Sequence, residues 1–356
     1  MIRRALAAGG AALVSAVTLR AAARKASARL LDAPRVTPEE ADLRPALDAL
    51  GGEVVRLRAR DGLALAGRWL SSERDGQRVA DPHEAVLLLH GYSGSVAPDL
   101  VEYGPFLRRT AGVLGLDFRG HGGSADGPST FGMLEVEDVA GALAWLGERG
   151  ITRVALVGTS MGGMAAIAAV AILGDGSLVA ADIDPAQPRA AIGAPRPQIV
   201  AVVADSTAPE VEVPVANRLR VPGARFIAAR LFDAAGRTLG TDLRLTEPRR
   251  MIGLVEPVPL LLIHGEDDRT VPLADGRRLV ALAGPNTEHW TVPGADHSRG
   301  HAVARQDYEQ RVTDFLRVAF ARRRDEDVDR SGASPIIAPR RPADGGPDTH
   351  ATSVED

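Results

Sequence analysis

The sequence predicts an α/β fold with a doubly wound, mostly parallel sheet, and two observations carry this prediction. Short runs that are apolar throughout recur along the chain, as strands buried on both faces do. They lie at 85–89, 113–118, 154–157, 199–204 and 260–263. Candidate helices fill the intervals between them, at 134–146, 161–173, 274–283 and 302–321. This alternation is typical of a parallel sheet covered by helices on both faces.

An antiparallel hairpin precedes the parallel strands. Residues 54–60 alternate between apolar and polar side chains, Asp61 and Gly62 make a tight turn, and residues 63–70 return along the first segment. A last strand-like run at 288–292 precedes the final helix. We therefore expect one domain over residues 52–320, with the hairpin at an edge of its sheet.

Two connections are unusually long for this architecture. Residues 174–198 follow a helix, so we expect them to lie away from the chemistry. Residues 206–258 follow a strand, and active-site loops gather at the carboxyl ends of strands. The pattern around 215–232 is partly helical and rich in apolar side chains. The sequence therefore predicts a small, apolar helical lid within about 206–258.

The two ends of the chain differ from the middle. Residues 1–31 hold six basic and no acidic residues around an apolar run at 5–19, which is shorter than the ~20 residues that span a bilayer. We expect membrane association through a retained anchor or surface helix; a cleaved signal and a cytoplasmic extension are the alternatives. Residues 322–356 combine charge runs with several prolines, which predicts a disordered tail.

The composition narrows the chemistry. The 356 residues suffice for one large α/β domain, and 42 basic against 46 acidic residues give a net charge of −4. The chain lacks the surplus of basic residues that would indicate a nucleic-acid partner. The absence of cysteine excludes disulfides, thiolate metal sites and a cysteine nucleophile. Covalent catalysis must therefore use oxygen or nitrogen. The sequence leaves the oligomeric state open.

The strongest chemical signal is the sequence Gly-Thr-Ser-Met-Gly at 158–162, between the apolar run 154–157 and the alanine-rich segment 163–170. At such a strand-to-helix turn a serine adopts a strained backbone conformation that exposes its hydroxyl, and the glycines remove side chains that would collide. Ser160 is therefore a candidate nucleophile. Because the chain has 38 glycines, a serine in an ordinary glycine turn is the alternative.

A candidate oxyanion hole lies ahead of the serine. The apolar run 87–89 leads into His90, Gly91 and Tyr92, which place a strand end before a glycine turn. A backbone N–H in this loop, together with the N–H after the nucleophile, can stabilise a developing oxyanion. We assign these roles to the N–H groups of Tyr92 and Met161. A plain strand-to-helix turn is the alternative.

Three carboxylates follow predicted strands. Asp267 and Asp268 come after the run 260–263, and Asp205 follows the run 199–204. A carboxylate in such a place can hold a histidine in the tautomer that accepts the serine proton. Chemistry alone leaves all three open, and solvated surface charge is the alternative for each.

His297 is the candidate general base. Of the eight histidines, it alone combines a loop at the carboxyl end of a strand with a position after both the serine and the acid. In a catalytic site built on a strand-to-helix turn of this type, the serine, the acid and the histidine follow one another along the chain in that order. An isolated histidine there would be a surface residue, so the assignment depends on the order.

Four stretches make residues 52–320 resemble the α/β-hydrolase superfamily. They are His-Gly-Tyr at 90–92, Asp-Phe-Arg-Gly-His-Gly-Gly-Ser at 117–124, Gly-Thr-Ser-Met-Gly-Gly at 158–163 and His-Gly-Glu-Asp-Asp-Arg-Thr-Val-Pro at 264–272. The chain is most similar to bacterial serine hydrolases of the Bem46-like and serine-aminopeptidase-type (S33) branch. In that family's pattern the acid is the fifth residue of the last stretch, so the resemblance selects Asp268.

The resemblance implies an acyl-transfer enzyme with Ser160, His297 and Asp268 as its triad. We expect a carboxylic ester hydrolase that takes a hydrophobic small-molecule acyl substrate. A peptidase, amidase or thioesterase with the same machinery is the alternative, and a catalytically inactive binding module is the alternative from another class. Neither a metal nor an organic cofactor is implied.

Overall fold

The structure is a computed structural model that describes residues 24–35, 37, 40, 42–73, 77, 82–92, 94–174 and 196–331. The expectations for residues 1–23, for most of the connection 174–198 and for the chain after residue 331 fall outside these residues. Residues 24–31 are helical and precede the elements numbered below.

One eight-stranded sheet forms the centre of the described chain. Its strands are β1 Glu53–Arg58, β2 Ala64–Leu70, β3 Glu84–Leu89, β4 Gly112–Asp117, β5 Arg153–Thr159, β6 Gln198–Asp205, β7 Leu260–Gly265 and β8 Thr287–Val292. They lie in the order β1-β2-β4-β3-β5-β6-β7-β8. β2 pairs antiparallel with both β1 and β4, and all other neighbours are parallel. The predicted sheet with an antiparallel hairpin at its edge is confirmed.

Helices cover both faces of this sheet. Their bounds are α1 Arg44–Leu50, α2 Ala97–Leu107, α3 Glu135–Glu148, α4 Met161–Leu173, α5 Glu212–Leu219, α6 Ala224–Leu239, α7 Pro248–Met251, α8 Leu273–Leu282, α9 Gly300–Val303 and α10 Arg305–Ser331. α5, α6 and α7 lie between β6 and β7, inside the connection interpreted as a lid. Among the described helices, none has both the length and the apolar character needed to cross a bilayer.

Two apolar clusters cover the two faces of the sheet. Along β3, Leu87 and Leu89 belong to the cluster that includes α3 and α4, whereas Val86 and Leu88 belong to the cluster that includes α2 and α10. This alternation is the period of two of a strand whose faces are both buried. α4 carries no charged side chain and is buried almost throughout, as a helix that is apolar on all sides requires.

Two expectations at the carboxyl end are corrected. The single helix predicted at 302–321 is two helices, α9 and α10, separated at Ala304. α10 continues to Ser331, so residues 322–331 are helical and do not belong to a disordered tail. Arg324 Nε lies 3.5 Å from Glu84 Oε1, and this contact joins the part of α10 beyond residue 321 to the start of β3.

Candidate active site

Ser160 occupies the sharp turn between β5 and α4. Its φ of 50° and ψ of −111° lie outside the regions that residues with a side chain ordinarily adopt. Ser160 N donates to Asp205 O at 2.8 Å, and Met164 N donates to Ser160 O at 3.2 Å. These bonds hold the strained backbone in place, as strained residues at functional sites require. The turn therefore presents the Ser160 side chain at the carboxyl end of the sheet.

The glycines on either side of Ser160 are required by close backbone contacts. A Cβ on Gly162 would lie 2.0 Å from Leu89 O, and a Cβ on Gly158 would lie 2.4 Å from the carbonyl carbon of Gly162. Both distances are far below van der Waals contact. The first turn of α4 can therefore lie against the end of β3 only because both positions lack a side chain.

His297 lies between Ser160 and Asp268. Its Nε2 is 3.0 Å from Ser160 Oγ, and its Nδ1 is 2.8 Å from Asp268 Oδ2. The loop that carries His297 follows β8, and the turn that carries Asp268 follows β7. The structure thus brings together three side chains that are distant in sequence, at the carboxyl ends of the parallel strands β5, β7 and β8.

The surroundings of Asp268 fix which of its oxygens faces His297. The carboxylate is buried, and its Oδ1 accepts hydrogen bonds from Thr270 N at 2.8 Å and Val271 N at 2.7 Å. Oδ2 is left for His297 Nδ1. Asp267, which chemistry alone left open, is exposed. The position selected by the resemblance is the one that contacts His297.

Asp205, the third carboxylate considered, contacts other partners. Its oxygens accept hydrogen bonds from Ser206 Oγ and Tyr308 Oη, each at 2.9 Å, and burial raises the pKa of this carboxyl. Ser206 Oγ in turn accepts from Ser298 N at 2.9 Å. Asp205 therefore supports the loop next to His297 through Ser206, and it does not contact the imidazole.

The loop after β3 places the Tyr92 backbone near Ser160. A Cβ on Gly91 would lie 3.6 Å from Ser160 Cβ, and Tyr92, Ser160 and Met161 line one pocket. Met161 begins α4, and N–H groups in the first turn of a helix have no acceptor within the helix. Tyr92 and Met161, whose N–H groups the sequence assigned to an oxyanion hole, therefore line the same pocket as the candidate nucleophile.

His90 anchors this loop. Its Nδ1 donates to Gly91 O at 2.7 Å, and its Nε2 accepts from Phe118 N at 3.1 Å. Burial, together with the nearby His121, lowers the pKa of His90 to about 3. His90 is therefore neutral near pH 7, as an imidazole that accepts a backbone hydrogen bond must be.

The pocket beside Ser160 is small and mostly apolar. Its volume is about 40 Å³. Its walls include Leu30, Phe131, Met164, Val215 and Arg218. Val215 and Arg218 belong to α5, so part of the predicted lid lies against the candidate nucleophile.

Leu30 belongs to an N-terminal strap, residues 24–35, whose part in the site the sequence did not reveal. Tyr92 Oη donates to Leu30 O at 3.1 Å, and Ser129 N donates to Leu31 O at 2.8 Å. Arg35 Nη1 donates to Ser124 O at 2.6 Å. The interpretation of residues 1–31 as a targeting segment therefore overlooked that its last residues close the pocket. The adjacent pair Leu30 and Leu31 after the basic run was the available signal.

Sequence comparisons identify relatives over most of this region. A sequence profile of the Alpha/beta hydrolase family matches residues 86–314. The uncharacterized protein YfhR of Salmonella typhi is 28% identical over 251 residues, which cover 69% of this chain and 74% of that protein. YfhR of Escherichia coli K12 is 28% identical over 276 residues, which cover 76% and 82% of the two chains.

Solved structures share the fold at low sequence identity. The Pyrococcus furiosus esterase Pf2001 superposes with a TM-score of 0.57 at 22% identity, covering 82% of this chain and 98% of its own. The alpha/beta hydrolase GrgF of Penicillium sp. sh18 gives a TM-score of 0.54 at 19% identity, covering 76% of this chain and 100% of its own. The strand order, the turn at Ser160 and the profile match agree, and the chain belongs to the α/β-hydrolase family.

Proposed function

We propose that this chain is a serine hydrolase that cleaves carboxylic esters through an acyl-enzyme on Ser160. The observation that carries the proposal is the position of His297, within hydrogen-bond distance of both Ser160 Oγ and Asp268 Oδ2. A nucleophile, a base and an orienting carboxylate need this order of contacts. Membership of a hydrolase family supports hydrolysis as the reaction class.

In the acylation step, Ser160 Oγ attacks the carbonyl carbon of the ester while His297 Nε2 accepts the hydroxyl proton. Asp268 accepts a hydrogen bond from His297 Nδ1 and stabilises the imidazolium that forms. The carbonyl oxygen becomes an oxyanion that accepts hydrogen bonds from the N–H groups of Tyr92 and Met161. The carbon–oxygen bond to the alcohol then breaks, and the alcohol leaves with the proton from His297.

In the deacylation step, a water molecule takes the place of the alcohol. His297 Nε2 removes a proton from this water as its oxygen attacks the acyl carbon of the acyl-enzyme. The same N–H groups stabilise the second oxyanion. The bond between the acyl carbon and Ser160 Oγ then breaks, and the proton returns from His297 to the serine. The proposed steps use only groups of this chain, the substrate and water.

The pocket favours a short acyl group. Its volume of about 40 Å³ accommodates about three non-hydrogen atoms, since one water needs roughly 10–15 Å³ on this measure. An acetyl group, which has three non-hydrogen atoms, fits this space, and the apolar walls suit its methyl end. A longer chain requires Leu30 or α5 to move.

The ion pairs of two lid carboxylates favour an ester over a peptide substrate. Glu210 and Glu212 are acidic residues at the lid that could hold a substrate's amino group. Glu210 forms ion pairs with Arg225 at 2.9 Å and Arg278 at 3.0 Å, and Glu212 pairs with Arg244. Both carboxylates are thus already neutralised by arginines. The structurally similar Pf2001 of Pyrococcus furiosus is an esterase, which points the same way.

Assignment to the Bem46-like and S33-type branch is also a proposal. It rests on the motifs at 90–92, 117–124 and 264–272. Within the turn at 117–124, Asp117 accepts from Val96 N and Gly123 N, each at 2.8 Å. Arg119 forms a buried ion pair with Asp138 at 2.7 Å. These bonds give this turn an architectural role.

The proposal is tested by replacing the nucleophile. We expect Ser160→Ala to reduce the turnover of p-nitrophenyl acetate by roughly 10⁶-fold. Ser71→Ala, at a partly exposed serine after β2, is the matched control and should keep the wild-type rate. A Ser160→Ala protein that retains wild-type turnover would overturn the assignment.

A substrate panel separates the alternatives. We expect kcat/KM to be highest for p-nitrophenyl acetate and to fall with acyl length, with aminoacyl p-nitroanilides and acyl thioesters turned over more slowly. Faster cleavage of an anilide would favour a peptidase, and faster cleavage of a thioester a thioesterase. A folded wild-type protein with no turnover of any member would favour a binding module.

A further inference from the structure

The turn between α5 and α6 projects apolar side chains into solvent. We define the lid tip as residues 218–230. Phe226 is 69% exposed, and Val221 is 47% exposed. Leu219 and Ile227 are exposed beside them. Contiguous exposed apolar side chains are uncommon on a soluble surface and mark sites of interaction.

The charge of the lid tip is opposite to that of the whole chain. Residues 218–230 contain four arginines and no carboxylate, whereas the chain carries a net charge of −4. Arg225 pairs with Glu210, and Arg230 pairs with Asp233. Arg218 and Arg220 form no ion pair with any carboxylate of the described residues. The apolar side chains of the tip are therefore accompanied by cations.

The lid tip adjoins the mouth of the pocket. Arg218 belongs to the tip and lines the pocket together with Ser160 and Leu30. Leu30 lies in the helical part of the N-terminal strap, in which the cations Arg24, Lys25 and Arg29 are exposed. Two cationic segments, one of them with exposed apolar side chains, thus flank the same opening.

We propose that the lid tip docks on the surface of a lipid bilayer with anionic headgroups. Apolar side chains set among arginines fit such a surface, because they enter the acyl boundary while the guanidinium groups meet the phosphates. The substrate class that follows is a short-acyl ester whose alcohol is held in the bilayer. This substrate class rests on the proposed esterase function, whereas the docking does not.

Vesicle binding by the full chain tests the docking. Cosedimentation is measured with vesicles of equal parts phosphatidylglycerol and phosphatidylcholine, and with phosphatidylcholine alone. We expect Val221→Ser/Phe226→Ser to weaken binding to the anionic vesicles by tenfold or more, since the variant loses two apolar side chains that the bilayer would bury on docking. Arg220→Gln should weaken it about fivefold on anionic vesicles and leave binding to phosphatidylcholine unchanged.

Matched controls come from apolar side chains exposed elsewhere. Val54 on β1 and Val318 on α10 are 63% and 67% exposed, and Val54→Ser/Val318→Ser should bind vesicles as the wild type does. The docking is overturned if the tip variant binds vesicles like the wild type. That result would also be obtained if residues 1–23 supplied most of the binding. The docking is also overturned if the control loses as much affinity. If the tip substitutions convert a dimer into a monomer and leave vesicle binding unchanged, the tip contacts a second copy of the chain instead of a bilayer.

Activity separates this inference from the proposed function. Both tip variants should hydrolyse p-nitrophenyl acetate in solution at the wild-type rate, because Val221, Phe226 and Arg220 do not line the pocket. Hydrolysis of hexadecyl acetate held in anionic vesicles should fall with vesicle binding. If the wild type does not hydrolyse p-nitrophenyl acetate, the esterase proposal is wrong, but the vesicle-binding result is unaffected. Unchanged hydrolysis of hexadecyl acetate by a variant that no longer binds would contradict the bilayer-held substrate.

Discussion

Asp268→Asn should inactivate the enzyme through the tautomer of His297. Thr270 N and Val271 N both donate to Asp268 Oδ1, so the amide oxygen of the asparagine must take that place. The amide NH₂ then faces His297 Nδ1, which has to act as an acceptor. The imidazole proton moves to Nε2, and Nε2 can no longer accept the proton of Ser160.

The expected loss is large because a wrong tautomer removes the base. By analogy with the serine protease triad, kcat should fall by roughly 10⁴-fold, equivalent to about 5.5 kcal/mol of transition-state stabilisation. The assay is p-nitrophenyl acetate hydrolysis, with thermal unfolding to verify the fold. Asp267→Asn, at the exposed neighbour, is the control and should stay within twofold of the wild type. A loss below tenfold for Asp268→Asn, or an equal loss for Asp267→Asn, would refute this reasoning.

Two further predictions concern the strap and a buried acid. Leu30→Ala should enlarge the acyl pocket and raise the ratio of kcat/KM for p-nitrophenyl hexanoate to that for the acetate about tenfold, because each buried methylene contributes about 0.8 kcal/mol; an unchanged ratio would exclude Leu30 as the limiting wall. Burial, together with Glu102, raises the pKa of Asp99 to about 8, so the native state retains a proton that the unfolded chain releases near pH 4, and stability falls as pH rises from about 4 to 8. Between pH 5 and pH 8 this loss is about 4 kcal/mol, and it should disappear in Asp99→Asn when urea unfolding is compared at these two pH values; an unchanged pH dependence would contradict the burial of this carboxyl.

The sheet and the residues Ser160, Asp268 and His297 could be predicted because each is marked by a pattern within a short stretch of sequence. Strands buried on both faces are apolar throughout, so the parallel strands could be located within one or two residues. The glycines around Ser160 are required by backbone contacts of 2.0 and 2.4 Å, which is why they stand out in the sequence. Asp268 and His297 follow strand ends, where a parallel sheet gathers its loops.

Contacts between distant segments could not be read from the sequence. α2 holds Pro98, Gly104 and Pro105, which weaken a helical pattern, and it is held by burial of Leu100 and Tyr103. The strap reaches the pocket through bonds to residues that lie 62 and 98 positions further along the chain. Its basic and apolar composition matched a targeting segment equally well, because composition does not indicate where a chain packs.

Covalent labelling tests most directly whether Ser160 is an activated nucleophile. The wild-type chain is treated with a fluorophosphonate probe, and the adduct is located by peptide mass spectrometry. We predict one adduct, on Ser160, that is absent from Ser160→Ala and forms much more slowly in His297→Ala. No adduct on the folded wild type, or an adduct on another residue, would show that Ser160 is not the activated nucleophile.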